Sequence, residues 1–218
     1  MNIAVYSGSF NPLHIGHLAI MKYLAGEGGF DCVYLIVSPK NPLKDGISAD
    51  SGMDRYNAAV EAVKRHFPSG AGEHAGHMPP TARGWLTEGK PGVSVMSPAP
   101  EGKVKVDDIE LRMPAPHYTI RTLDALRERE PENTFTLVMG ADNLADIRRW
   151  RDYSRILKEY GAAVYPRKGF DLDMIIKDLT EEDPSFRISV MKAEMVDISS
   201  TTIRNAIAEG QDMSQWLM

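Results

Sequence analysis

The sequence predicts an α/β fold: a doubly wound parallel sheet with helices on both faces, interrupted by one inserted loop or hairpin. Three observations predict it. Short apolar runs of strand type alternate with helical runs along nearly the whole chain, the order that builds parallel sheets covered on both sides. The first strand runs at once into a Gly/Pro/His turn and a helix, as happens where such sheets bind ligands beyond the carboxyl ends of their strands. Finally, 13 of the 32 Gly and Pro residues fall between 68 and 103, so the rhythm breaks in one place.

Each element has its own signal. "NIAVYSG" (2–8) is a short apolar strand. "GHLAIMKYLAGE" has helical spacing, with Leu18, Met21 and Leu24 on one face and Gly26 as a stop. "CVYLIVSP" reads as a second, buried strand. "SGMDRYNAAVEAVKRHF" reads as a helix whose stripe is Met53, Tyr56, Val60 and Val63. "KVKVDDIEL" is predicted as a strand, "YTIRTLDALRERE" as a helix and "TFTLVMGA" as a strand. "NLADIRRW" and "YSRILKEY" are predicted as helices, and "GAAVYPRKG" as a strand. "DLDMIIKDL" is a short helix, "FRISVMKAEMV" a strand and "SSTTIRNAIAEG" a closing helix. The 68–103 stretch is expected to lie outside the main core of a single domain spanning 1–218, with a hairpin "VSVMSPAPEGKVKV" at its end. Its H-x-x-H pair, His74 and His77, lacks Cys or carboxylate companions and reads as solvated loop histidines rather than a metal site.

Composition narrows the function. The chain has 218 residues, 43% hydrophobic and 25% charged, which is ordinary globular composition. A net charge of −5 leaves no basic footprint for nucleic acid, but a small anionic ligand remains compatible with local positive charge. No apolar run reaches the ~18–20 residues of a membrane span. "MNIAVYSGSF" has neither a basic n-region nor a small-residue cleavage site, so no signal peptide is expected. One cysteine, Cys32, excludes an internal disulfide, and a cytoplasmic location is expected.

Two stretches carry chemistry. In "GSFNPLHIGH" a strand ends at Tyr6, Gly8 allows close approach of backbone to ligand, and a helix begins near Gly16. A helix N-terminus offers free N–H groups and a positive dipole end, and His14 and His17 project into the same space, where they can hydrogen-bond phosphate oxygens. The segment is neither G-x-G-x-x-G, nor a P-loop, nor H-E-x-x-H. In "DISSTTIR", Ser199, Ser200 and Thr201 place hydroxyls at another helix start, and Arg204 can reach the same anion.

"GSFNPLHIGH" resembles the G-x-F-x-P-x-H-x-G-H signature of the HxGH nucleotidyltransferase superfamily, and "ISSTTIR" resembles its I-S-S-T-x-I-R signature. "PHYTIRTLDALR", "LVMGADNLADIRRWRDYSRIL" and "VYPRKG" look like the corresponding stretches of bacterial nicotinate mononucleotide adenylyltransferases. The likeness covers most of the chain except 66–103 and the extreme C-terminus. It implies a Rossmann-like sheet and a reaction of ATP with nicotinate mononucleotide that gives deamido-NAD and pyrophosphate.

The resemblance also implies roles. His17 faces the α-phosphate, His14 and Arg204 the β- and γ-phosphates, and Lys44 of "NPLK" another phosphate contact. Gly8, Ser9, Phe10, Gly140, Asp142 and Arg167, with Ser199, Ser200 and Thr201, would hold ATP; Tyr118, Thr119 and Trp150 would hold the nicotinate end. Mg²⁺ is expected to bind mainly through ATP phosphates and water, without an all-protein cage. A homo-oligomer is compatible with the sequence.

Two departures stand out. His117 occupies the place where the family usually has Ser, and relatives usually continue past "DMSQWLM" into another short helix. Phosphopantetheine adenylyltransferase, nicotinamide mononucleotide adenylyltransferase and a non-catalytic ATP- or NAD-sensing module are the alternatives. The Tyr-Thr pair with Trp150 argues against the first, and the intact His14, His17, Lys44 and Arg204 set argues against the last.

Overall fold

The computed structural model describes residues 1–39, 52–67, 103–193 and 196–218. Lys44, His74, His77 and the 68–103 insertion, apart from Lys103, lie outside the described residues, as does most of the expected hairpin.

Six parallel strands form one sheet in the order β3-β2-β1-β4-β5-β6: β1 Asn2–Gly8, β2 Cys32–Val37, β3 Val104–Asp107, β4 Thr134–Gly140, β5 Ala162–Tyr165 and β6 Ile188–Val190. The helices are α1 Ile15–Ala25, α2 Gly52–His66, α3 Ile109–Arg112, α4 Thr119–Arg129, α5 Ala141–Ala145, α6 Tyr153–Arg155, α7 Leu172–Glu182 and α8 Ser200–Ala208. The predicted fold class is the observed one.

Alternation along the strands explains why helices cover both faces. Ile3 and Val5 of β1 and Tyr34 and Ile36 of β2 join one core with Leu123 and Leu126 of α4. Ala4, Tyr6, Val33 and Leu35 join the other with Met21, Leu24, Tyr56 and Val63. Successive side chains of a strand point to opposite faces, so a strand buried on both sides is apolar throughout.

The structure departs from the sequence reading at five places. Met53 is 37% exposed and is not part of the α2 stripe, which Tyr56, Val60 and Val63 form with Ala59. The strand predicted over 103–111 stops at Asp107, because its Oδ1 accepts from the Ile109 amide at 2.9 Å and turns the chain into α3. The helix predicted over 143–150 begins at Ala141 and gives way to a 3-10 turn at Ile147–Arg149. The predicted 153–160 helix is one α turn followed by a π turn, Ile156–Tyr160, which ends at Gly161 with φ 77°. A Cβ at Gly161 would sit 3.0 Å from the Arg187 carbonyl oxygen, so glycine fits both the dihedral and the space. Among the described residues of 186–196 only Ile188–Val190 forms a strand, an edge paired with β5. No helix among the described residues is long and apolar enough to cross a membrane.

Candidate active site

Strand order reverses between β1 and β4, so the loops that leave their carboxyl ends part and open a crevice. A cleft of about 180 Å³ lies there, lined by Ser7, Gly8, Ser9, Glu110, Tyr118, Thr119, Trp150 and Arg149 among others. Beside it, a smaller pocket of about 30 Å³ is lined by His14, Gly16, His17, Arg167 and Ile198. Tyr6 and Tyr165 line both, with their rings edge to face at 6.2 Å.

The histidines begin α1. His14 is its N-cap: its Nδ1 accepts from the Gly16 amide at 3.1 Å, while the Nδ1 of His17 accepts from the His14 amide at 3.2 Å. This is a capping box built from two imidazoles in place of Ser and Glu. Their rings lie 3.8 Å apart. Because each Nδ1 accepts, each neutral ring carries its proton on Nε2 and can donate it to an anion. Charging either ring would put a proton on Nδ1 and break a cap bond.

Electrostatics act the same way. Burial, aided by the Arg167 charge, lowers His14 from the usual 6.5 to about 4. Burial, then His14 and Arg167, holds His17 well below 6.5. Both are therefore neutral donors at pH 7. The stability consequence has a definite sign. Between pH 6.5 and about 4 the unfolded chain binds the His14 proton and the folded chain does not, so stability falls as pH drops through that window. A thermal melt series from pH 7.5 to 4 should show this fall, and His14→Asn should reduce it, leaving the part that buried His17 contributes.

The loop geometry explains the other motif positions. Phe10 adopts φ 44° and is buried, with its ring edge-on to Tyr6 at 5.4 Å and to His17 at 5.1 Å. A Cβ at Gly8 would stand 3.1 Å from that ring. Phe10 thus serves as packing behind the histidines, and Gly8 and Ser9 line the larger cleft.

The second motif straps the first loop. Arg204 donates to the Asn11 carbonyl at 2.6 Å and to Thr201 Oγ1 at 3.1 Å, and Ser200 Oγ donates to the Pro12 carbonyl at 3.0 Å. Ser199 caps α8, accepting from the Thr202 amide at 3.1 Å. In this state Ser199 and Ser200 hold the loop and the helix start.

Gly140 ends β4 opposite Tyr165, and a Cβ there would collide with Asp142 Oδ1. Asp142 Oδ1 and Arg167 Nε are 3.7 Å apart, both buried without a hydrogen-bond partner. Arg167 also stacks over Tyr165, its guanidinium carbon 5.1 Å from the ring centre.

At the far end of the cleft, Thr119 opens α4 and half-buried Trp150 forms a wall. The Tyr118 amide is already engaged, donating to the Pro116 carbonyl at 3.1 Å. The first-turn amides of Thr119 and Ile120 are therefore the donors this helix offers.

Sequence reasoning missed two residues. Arg55 on α2 is buried and donates to the carbonyls of Ser9 at 2.6 Å, Ser38 at 2.7 Å and Pro39 at 2.7 Å, fixing the loops after β1 and β2 together. Glu110 is buried on the floor of the larger cleft. An arginine beside Tyr56 in an otherwise apolar stripe was the available signal for the first; inside "DDIELR" nothing set Glu110 apart from its acidic neighbours.

Known proteins resemble this chain in sequence and fold. The cytidylyltransferase-like family matches residues 5–69 and 95–206. A probable nicotinate-nucleotide adenylyltransferase of Flavobacterium johnsoniae is 31% identical over 217 residues, covering 100% of this chain and 92% of its own. Those of Flavobacterium psychrophilum and Bacteroides fragilis are each 33% identical, covering 100% and 98% of this chain and 92% and 85% of their own. The fold also matches the Plasmodium falciparum nicotinic acid mononucleotide adenylyltransferase solved with NaAD, with a TM-score of 0.68 and 16% identity over 99% of this chain and 90% of that one. With its two signature motifs meeting at the β1/β4 crevice and full-length relatives of one kind, the chain belongs to the cytidylyltransferase-like family, among the nicotinate-nucleotide adenylyltransferases.

Proposed function

We propose that the paired pockets join ATP to nicotinate mononucleotide, releasing pyrophosphate and deamido-NAD. One observation carries the reading: the larger cleft and the histidine pocket share Tyr6 and Tyr165. A mononucleotide with its ring between Thr119 and Trp150 then directs its phosphate toward the pocket where a triphosphate meets His14, His17 and Arg167. The mononucleotide phosphate attacks the ATP α-phosphorus in line, and the bond to the pyrophosphate breaks. The nucleophile is already an anion, so the protein's part is positioning and charge stabilisation.

In this reading His17 donates to the α-phosphate through Nε2, and His14 and Arg204 to the β- and γ-phosphates. Lys44 keeps the phosphate contact implied by the resemblance. Asp142 suits ribose hydroxyls, and Arg167 the nucleotide's phosphate side. Mg²⁺ enters with the nucleotide: among the described residues the histidine pocket presents nitrogen donors and no carboxylate, so the ion's oxygen ligands come from phosphate and water. The 68–103 segment is an insertion in a single nucleotidyltransferase domain, a reading supported by the break in the family match between 69 and 95.

The amides of Thr119 and Ile120 suit the ring carboxylate. The acid mononucleotide should be favoured over its amide by more than about tenfold in kcat/KM, since a misplaced amide leaves a donor unpaired at roughly 1–3 kcal/mol. A turnover assay offering nicotinate mononucleotide, nicotinamide mononucleotide and phosphopantetheine side by side tests both statements. Equal use of acid and amide removes the carboxylate assignment, and exclusive use of phosphopantetheine removes the reading.

A further inference from the structure

Three carboxylates are buried among the described residues: Asp107, Asp108 and Glu110. The first two have arginine partners, Arg129 at 2.5 Å from Asp107 and Arg112 at 2.8 Å from Asp108. Glu110, only 3% exposed, has none among the described residues. Its Oε1 accepts from Thr122 Oγ1 at 2.9 Å and from Ser7 Oγ at 3.1 Å, and both donors are uncharged. The nearby His117 does not supply the missing charge. Burial keeps it below the usual 6.5 despite the pull of Glu110, and its Nδ1 is buried without a partner. A buried carboxylate is costly unless a cation balances it, and this one forms part of the floor of the ligand cleft.

We propose that the cation is the substrate itself: Glu110 is the counter-charge for the pyridinium ring of the mononucleotide and determines specificity for a positively charged ring. In nicotinate mononucleotide the ring nitrogen is bonded to ribose and quaternary, so its charge cannot be lost by releasing a proton. Trp150, on the same cleft, adds a π face that favours a cation. The ring's own carboxylate lies at its other side, at the start of α4. The protein thus separates the two charges of a zwitterionic ring, amides to the anion and Glu110 to the cation. This inference rests on reading the cleft as the mononucleotide subsite.

The test compares nicotinate mononucleotide with its 1,4-dihydro form, which has the same carboxylate, ribose and phosphate but an uncharged ring. Titration calorimetry on the wild-type protein should give a Kd lower for the charged ring by about tenfold or more, as expected for unit charges a few ångströms apart in a partly screened site. Glu110→Gln, which keeps size and an acceptor oxygen, should collapse that ratio to within about threefold, on the same Coulomb argument. ATP affinity should be unchanged. Thr122→Val removes one hydrogen bond to Glu110 without touching its charge and should keep the ratio. Equal wild-type affinities for the two rings overturn the inference, as does a Glu110→Gln variant that weakens both alike. A wild-type protein that binds neither mononucleotide overturns the functional reading, and this inference with it.

Discussion

His17→Ala should lower kcat by roughly 10²–10³, the scale of losing one preorganised donor to developing charge, while KM for ATP changes little. The side chain has a second duty, because its Nδ1 accepts the His14 amide. The same variant should therefore lose about 0.5–2 kcal/mol of stability, the worth of a helix cap. A second substitution separates the two roles. Glu is the usual residue at this position of a capping box, so His17→Glu should restore the melting temperature. It also brings a negative charge to the phosphates, so activity should stay as low as in the alanine variant. Steady-state kinetics and thermal melts on the two variants check this. A His17→Ala protein with unchanged kcat and raised KM would make His17 a ground-state binding group.

Arg55→Leu should have the largest effect on stability. It leaves the carbonyls of Ser9, Ser38 and Pro39 without their shared donor. Losing a buried, charge-assisted network of this kind costs on the order of 3 kcal/mol or more, which for a chain of this size lowers Tm by roughly 6–12 °C. Ser9 lines the cleft, so mononucleotide KM should rise as well, measured below the variant's own Tm. A variant that melts with the wild type would mean that other groups hold the two loops.

The parts of this fold that were legible in the sequence share one property: their pattern matches what they bury. β1 and β2 read as continuous apolar runs because both faces are covered, and α4 because Ile120, Leu123 and Leu126 line one core. The misreadings are places where a polar side chain decides. Asp107 ends β3 by accepting from Ile109, a bond that apolar periodicity does not encode. The π turn at Ile156–Tyr160 has helical spacing and an ordinary helical composition, and only its closure at Gly161 sets it apart.

The site divides in the same way. His14 and His17 were legible because two imidazoles at a helix start are unusual. Arg55 and Glu110 were not, since a single charge within an element is normally a solvated one, and burial is fixed by neighbours distant in sequence. The Tyr118 amide illustrates a finer limit: its availability depended on where the Pro116 carbonyl came to lie.

The bonds from Ser200 to Pro12 and from Arg204 to Asn11 join positions 188 and 193 residues apart. Their consequence concerns time rather than geometry. Chains emerge from the ribosome N-terminus first, and domains tend to fold in that direction. The histidine loop is among the first segments made, yet two of the side chains that hold it, those of Ser200 and Arg204, are among the last. When residue 190 has been added, every strand of the sheet exists, but the loop still lacks these two bonds. Contacts of such sequence separation form late, so a nascent chain would acquire its sheet before its phosphate pocket. Chains ending near residue 192 and freed from the ribosome should therefore resist proteolysis in the sheet while the 9–14 loop is cleaved more readily than in the whole protein, and chains extended past Arg204 should protect both.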